Sequence, residues 1–134
     1  MYGALDISTS GLVAQRTRLT ITSSNLMNAR TILNAEGEYD PFRRRFAVLA
    51  AGDAEMGELP GVRVASIGID DSPLKAEYEP GSPYADADGY VYYPNIDAVT
   101  EQMNAMEALR AYEANVAAAE ATKSMMSVAL QMLG

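Results

Sequence analysis

The chain has 134 residues, enough for one compact domain with a real core but too few for a multidomain enzyme. It contains no cysteine, histidine or tryptophan, which excludes thiol nucleophiles, disulfides, imidazole bases and Cys/His metal sites. Its 18 acidic and 10 basic residues give a net charge of −8, which opposes binding to nucleic-acid phosphates.

The amino-terminal sequence MYGALDISTS has neither a basic region nor an unbroken apolar stretch. No run in the chain approaches the roughly 20 apolar residues that a membrane span requires. We therefore expect no membrane span and no cleaved signal, so that the protein is either cytoplasmic or exported by a route that reads no hydrophobic signal.

Glycine and proline divide the chain into three parts. All six prolines and most glycines lie between Gly37 and Pro94, whereas residues 95–133 contain neither. This distribution predicts helices at both ends and strands and loops in the middle. We expect an N-terminal assembly helix in residues 1–31, a β-rich inserted module in residues 32–94 and a C-terminal heptad helix in residues 95–134.

The N-terminal part predicts an amphipathic helix with two apolar rows on different faces. Both rows have a spacing of seven residues, and they lie about 200° apart around the helix. Such a helix requires more than one packing partner. The first row is Leu5, Leu12, Leu19 and Leu26, and the second is Ile7, Ala14 and Ile21.

The C-terminal part has alternating spacings of four and three residues, which are typical of a coiled-coil seam. Asn95 is the expected N-cap, and a helix from Asp97 to Leu133 would be about 55 Å long. The predicted seam is Ala105, Leu109, Tyr112, Val116, Ala119, Lys123, Met126, Leu130 and Leu133.

The middle part predicts four short strands at residues 43–49, 62–69, 74–78 and 90–93, separated by turn sequences. The predicted fold class is therefore α+β and mainly α. Long N- and C-terminal helices pair as a coiled coil, and a small antiparallel β module is inserted between them.

One segment partly matches a calcium-binding loop. Asp86, Asp88 and Gly89 fit the third, fifth and sixth positions, but Tyr84 and Asn95 occupy the first and twelfth, where the motif needs acidic ligands. We therefore predict a structural Asx-type turn before a strand, with no metal site and no cofactor.

The remaining charged clusters do not indicate catalysis. Residues 43–45 are three arginines, which predict a solvated strand edge or a contact with an acidic neighbouring subunit. Asp70 and Asp71 precede a Ser-Pro turn, and no pair of carboxylates is singled out for glycoside cleavage. In the sequence SNLMNART, Asn25, Asn28 and Thr31 are typical of a helix end.

The same residues carry a family resemblance. The opening ALDISTSGLVAQRTRLTITSSNLMNART resembles the N-terminal signature of the axial proteins of the bacterial flagellum, a helix that ends in S-N-L-x-N-x-x-T. The similarity continues through PFRRRFAVL, GVRVASI, YEPGSPYADADGYVYYPN and RAYEANVAAAEATKSMMSVALQML, and it covers nearly the whole chain. The D-A-D-G-Y-V-x-x-P-N and R-x-Y-x-A-N-V blocks indicate the proximal basal-body rod proteins.

The resemblance implies a structural subunit of the flagellar drive shaft between the membrane ring and the hook, and no enzymatic activity. Its terminal helices would build a hollow tube that transmits torque, with the β module facing outward. It implies synthesis in the cytoplasm, export with an uncleaved N-terminus by the flagellar type III apparatus, and a place in the basal-body rod that spans the periplasm.

The implied partners are other copies of the chain, other flagellar rod proteins, the protein joining the rod to the membrane ring, and the export apparatus, with no nucleic acid. The expected assembly interface lies on the two helices. It comprises Leu5, Leu12, Leu19, Ile21, Asn25, Leu26, Asn28, Leu109, Tyr112, Asn115, Val116, Ala119, Met126 and Leu130.

Two other classes of protein fit parts of the pattern. A cytoplasmic coiled-coil adaptor would share the C-terminal heptads but would not need the second apolar row of the first helix. An acid-dependent enzyme such as a cell-wall hydrolase would need a cleft with two facing carboxylates. Export through the flagellar apparatus would distinguish a rod protein from the adaptor. A peptidoglycan-digestion assay would detect the hydrolase.

Overall fold

A computed structural model describes residues 2–53 and 57–134. It confirms the predicted fold class, because each end of the described chain is one long helix and antiparallel strands lie between them. The elements in order are α1 (Tyr2–Met27), β1 (Arg45–Asp53), β2 (Gly57–Ile69), β3 (Lys75–Tyr78), β4 (Tyr90–Tyr93) and α2 (Ala98–Leu133).

The strands form two separate two-stranded antiparallel sheets, β1 with β2 and β3 with β4. Arg45 lies opposite Ile69 in the first hairpin, and Lys75 lies opposite Tyr93 in the second. The bounds of β4 agree with the prediction. The hairpin of β1 and β2 is longer than predicted, and β1 begins at Arg45 rather than at residue 43. The later start of β1 has a local cause: the amide of Arg44, immediately before the strand, donates to the side chain of Asn95 at 2.9 Å.

The two helices run antiparallel along each other. Asn25, near the end of α1, bonds to Glu101, near the start of α2, whereas Gly11 lies against Asn115. The helices have 26 and 36 residues, so α2 is longer by about 15 Å at about 1.5 Å per residue. Because the two helices are aligned at Asn25 and Glu101, this extra length extends beyond the N-terminal end of α1. We call residues 125–133 the overhang.

The N-cap of α2 is Asp97, and the prediction of Asn95 was wrong. The carboxylate of Asp97 accepts hydrogen bonds from the amides of Val99 at 2.9 Å and Thr100 at 3.4 Å. Ile96, which lies between Asn95 and Asp97, is buried. The side-chain amide of Asn95 does not cap the helix but bonds to the segment that follows β2. Its nitrogen donates to the carbonyls of Asp70 and Ser72, both at 3.1 Å.

Small and polar side chains form the face between the helices. A Cβ atom placed on Gly11 would lie 2.7 Å from Nδ2 of Asn115, so the two helices approach closely at this point. The buried residues of the pair are Ser8, Gly11, Ala14, Thr22 and Asn25 on α1 and Glu101, Ala108 and Thr122 on α2.

The predicted seam of α2 does not coincide with the face toward α1. Leu109 and Leu130, which the heptad pattern places on the seam, are 45% and 68% exposed in the single chain. The row that faces α1 begins one residue earlier, with Ala108, and continues with a half-buried Asn115 and a buried Thr122. Five members of the predicted seam are half-buried: Ala105, Tyr112, Val116, Ala119 and Met126.

The first helix has two partners within the chain, as its two apolar rows predicted. It packs against α2 along one side and against the hairpin of β1 and β2 along another. The amide of Val62 in β2 donates to the hydroxyl of Ser10, at 3.1 Å. Among the described residues, neither helix combines the length and the apolar character that crossing a membrane would require.

Candidate assembly surfaces and a buried polar clasp

Large apolar side chains lie on the face of α2 that points away from α1. At about 100° per residue, they share one face of the helix, in two groups near its two ends. We call them the outer stripe, and between 55% and 84% of each side chain is exposed. The outer stripe is Val99, Met103, Met106, Met125, Val128 and Met132.

Small residues continue the outer stripe between its two groups. Ala114, Ala117 and Ala121 are exposed on the same face, which also includes the charged residues Glu107 and Arg110. Residues 124–133, which include the overhang, contain no charged side chain. A mainly apolar surface of this length indicates an interaction site rather than the isolated apolar residues usual on a protein surface.

The exposed face of α1 is polar but largely satisfied within the helix. The hydroxyls of Thr9, Thr17 and Thr20 each donate to the carbonyl four residues earlier, at distances of 2.9, 3.0 and 3.0 Å. A neighbour that covers this face would therefore leave these donors paired. Val13 and Met27 add exposed apolar surface, at 62% and 82%.

A buried polar cluster joins α1, β1 and α2, and we call Asn25, Arg44 and Glu101 the clasp. Asn25 and Glu101 are each only 1% exposed. Nδ2 of Asn25 donates to Oε2 of Glu101 at 3.1 Å, and Nε of Arg44 donates to Oε1 of the same carboxylate. Both oxygens of Glu101 are thus bonded and its charge has a cationic partner, which a buried carboxylate requires.

Asp70, at the end of β2, extends this cluster. Its Oδ2 lies 3.5 Å from a terminal nitrogen of Arg44. The hydroxyl and amide of Ser72, with a smaller contribution from the positive charge of Arg44, lower the pKa of Asp70 below its ordinary value. The amide and hydroxyl of Ser72 donate to Oδ1 of Asp70, so the predicted turn at this position is confirmed.

The arginine run has a different role from the one predicted. Arg44 points into the protein and bonds to Glu101 and Asp70. Arg43 donates to the carbonyl of Ser72, and the Arg45 guanidinium lies 5.4 Å from the centre of the Phe42 ring. The interpretation as a simply solvated edge is therefore wrong for Arg44, whereas Arg45 is exposed.

The predicted Asx-type turn is present before β4. Oδ1 of Asp86 accepts the amides of Asp88 at 3.0 Å and Tyr90 at 2.9 Å, and Gly89 has φ of +87°. The hydrogen bond from the Tyr90 amide is the main cause of the lowered pKa of Asp86. Among the described residues, no three acidic side chains come together as a metal site.

An ion pair connects Arg30, three residues after α1, to Glu77 in β3. The two terminal nitrogens of Arg30 each donate to an oxygen of Glu77 at 3.1 Å, and the guanidinium lies 4.3 Å from the centre of the Tyr93 ring. Arg30 is the main cause of the lowered pKa of Glu77. Both charged groups are substantially exposed. The ion pair therefore helps to position the hairpin of β3 and β4 but contributes little to the free energy of unfolding.

The structure places the expected interface residues in three settings. Asn25 and Asn115 face other parts of the same chain, and the Asn28 amide bonds locally to the carbonyl of Ser24 at 2.8 Å. Leu109 and Leu130 are exposed. The others are half-buried: Leu5, Leu12, Leu19, Ile21, Leu26, Tyr112, Val116, Ala119 and Met126.

Sequence reasoning missed the clasp and the outer stripe. Glu101 stands seven residues before Ala108 and fourteen before Asn115, and an acid in that row could have indicated a buried ion pair. The outer stripe has the same heptad spacing as the predicted seam, so it could have been found as a second apolar face.

Comparison with known proteins identifies the family. A family model described as the C-terminal region of the flagellar basal body rod FlgEFG proteins matches residues 87–132, which contain β4 and nearly all of α2. The chain is 42% identical to the flagellar basal-body rod protein FlgC of Salmonella typhimurium, over 94% of this chain and 92% of that protein.

More distant bacteria have similar proteins. The chain is 37% identical to the FlgC protein of Bacillus subtilis, over 98% of this chain and 97% of that protein. It is 35% identical to the FlgC protein of Borreliella burgdorferi, over 99% of this chain and 97% of that protein. Since these similarities include both helices and both hairpins, the chain belongs to the FlgC family of flagellar basal-body rod proteins.

Proposed function

We propose that this member of the rod family builds the basal-body rod through the exposed faces of its two helices. As a member of the family it is a structural protein of the flagellar basal body. In our proposal residues 1–31 and 95–134 supply the assembly helices around a hollow tube. Residues 32–94 form a module that faces outward, and the whole subunit transmits torque.

The observation that carries this proposal is the position of the large apolar side chains. Small and polar residues lie between α1 and α2, whereas the outer stripe of α2 and its overhang are exposed. A monomeric protein rarely leaves so long an apolar surface in water. Neighbouring helices would bury this surface in the rod, and the uncharged overhang would accept them without repulsion between chains that each have a net charge of −8.

The proposal includes a set of partners and excludes catalysis. Other copies of the chain and other rod proteins would cover the helices, and the protein that joins the rod to the membrane ring would contact one end. The flagellar type III export apparatus would deliver the subunit. The carboxylates of Glu101, Asp70 and Asp86 accept hydrogen bonds from groups of the same chain. This supports a structural rather than an enzymatic role.

Val128→Asp tests the outer stripe. Val128 is 55% exposed in the single chain, so an aspartate there should leave the subunit folded. In a packed interface the same carboxylate would cost several kcal/mol. We expect cells with this variant to be non-motile and to lack complete rods, while the purified subunit keeps the circular dichroism spectrum of the wild type.

Ser127→Asp is the matched control, because it adds the same charge at an exposed neighbouring position outside the outer stripe. It should leave swimming and rod assembly close to the wild type. Complete rods and normal swimming with Val128→Asp would show that the outer stripe is not an assembly interface.

A further inference from the structure

Asn25 acts on β1 as a neighbouring strand would. Its Oδ1 accepts the amide of Arg45 at 3.0 Å, and its Nδ2 donates to the carbonyl of the same residue at 2.8 Å. A side-chain carboxamide thus satisfies both backbone groups that the first residue of β1 directs away from β2. Unpaired edge groups of this kind otherwise invite pairing with another chain.

The same carboxamide also connects β1 to α2. Nδ2 of Asn25 is shared between the Arg45 carbonyl and Glu101, and Glu101 in turn binds the side chain of Arg44. One buried group therefore holds the end of α1, the start of β1 and the first turn of α2 together. Since all of these groups are charged or strongly polar and Glu101 is buried, removing one partner leaves the others unsatisfied.

A two-stranded hairpin has little stability of its own, so its orientation depends on how it is attached. In the part of the chain that the structure describes, side-chain hydrogen bonds tie the hairpin of β1 and β2 to α1 at two places, Ser10 with Val62 and Asn25 with Arg45. These two positions on α1 are about 22 Å apart along the helix axis. Two separated attachments fix the direction of the hairpin, whereas one would allow it to swing.

We propose that the clasp is a rigid joint that fixes the orientation of the hairpin of β1 and β2 on the helix pair. This inference rests on the proposed function in one respect: in the rod, the joint would carry rotation from the helices to the outward-facing module. Asn25 is a positioning residue in this role. It is too deeply buried to contact another subunit directly.

Distances between two spin labels on the full chain test this joint. The natural chain has no cysteine, so Ser66→Cys on β2 and Glu113→Cys on α2, both at exposed positions, give specific attachment sites. Pulsed electron paramagnetic resonance should yield one narrow distance distribution. Asn25→Ala should replace that narrow peak by a broad or multiple distribution while the helical signal in circular dichroism persists.

Asn28→Ala is the matched control, because Asn28 belongs to the same sequence block but its side chain bonds locally, to Ser24 and Thr31. It should leave the distribution narrow. A narrow distribution in folded Asn25→Ala would overturn the proposal, because the hairpin would then be held without the clasp.

Exchange of the polar groups gives a second, independent test. In Glu101→Gln two amide groups compete as donors, so the distribution should broaden. If Asn25→Ala loses its helical signal, Glu101→Gln decides, and a distance distribution as narrow as that of the natural chain in folded Glu101→Gln would overturn the proposal. These measurements use the isolated subunit, so their failure is distinguishable from that of the motility test with Val128→Asp.

Discussion

At the scale of single residues, Gly11 determines how closely the two helices approach. The nearest atoms to a Cβ atom at this position belong to the side chain of Asn115, at 2.7 to 2.8 Å. Alanine is more favourable than glycine within a helix by about 1 kcal/mol, but overpacking of this kind costs about 1–3 kcal/mol. The two effects oppose each other, and the contact with Asn115 decides which prevails.

We therefore expect Gly11→Ala to be less favourable in the natural chain, where the end of the Asn115 side chain must move, than in a chain in which Asn115 is also alanine. In that second chain it should be neutral or stabilising, by up to about 1 kcal/mol. Urea unfolding of the two single variants and the double variant measures this coupling. Equal effects of Gly11→Ala in both backgrounds would contradict the close contact.

The turn before β4 gives a prediction about pH. The pKa of Asp86 is lowered, chiefly because its carboxylate accepts the amide of Tyr90. A lowered pKa in the folded state means that the charged form stabilises the fold above the ordinary pKa of aspartate. That contribution disappears as the pH falls through the lowered value.

Asp86→Asn keeps the acceptor oxygen but does not titrate. The difference in free energy of unfolding between the wild type and this variant should shrink as the pH falls below the ordinary pKa of aspartate. Asp70 and Glu77 also have lowered pKa values, but they are present in both proteins and cancel in the comparison. Parallel pH profiles for the two proteins would show that the Asp86 carboxylate does not stabilise the turn.

At the scale of elements, α2 should differ along its length. Residues 101–122 pack against α1, whereas the overhang lies beyond the end of α1. A short helical segment without tertiary contacts is marginal in water. In the isolated subunit, amides of residues 125–133 should therefore exchange with solvent much faster than those of residues 104–118, as hydrogen exchange with mass spectrometry would measure. Uniform protection along α2 in a dilute monomer would contradict this prediction.

At the scale of the whole molecule, the sequence predicted the architecture because the periodicity of each helix is a local property. It did not predict which face of α2 is inside. Leu109 and Leu130 were assigned to the coiled-coil seam because of their heptad spacing, yet Ala108 and Thr122 occupy the face toward α1. In a protein built to assemble, the largest apolar side chains can be kept for neighbours, and a single sequence does not distinguish these two uses.

The clasp was beyond prediction for a different reason. Asn25 lies 20 residues from Arg45 and 76 from Glu101, and Arg44 lies 57 residues from Glu101. Two of its bonds also involve backbone groups, which have no sequence signature. The Asx-type turn at Asp86 was predictable because all its bonds lie within four residues.

The small side chains between α1 and α2 also determine how the subunit responds to temperature. Exposure of apolar surface produces most of the heat-capacity change on unfolding, and the face between the helices is built from residues such as Ser8, Gly11 and Thr22. Separating the helices should therefore change the heat capacity less than separating a pair packed mainly on leucine, and their pairing should depend less on temperature. Contacts through the outer stripe would instead bury methionine and valine, and such contacts weaken on cooling. In the cold, the proposed rod would lose contacts between subunits before the subunits lose their own fold.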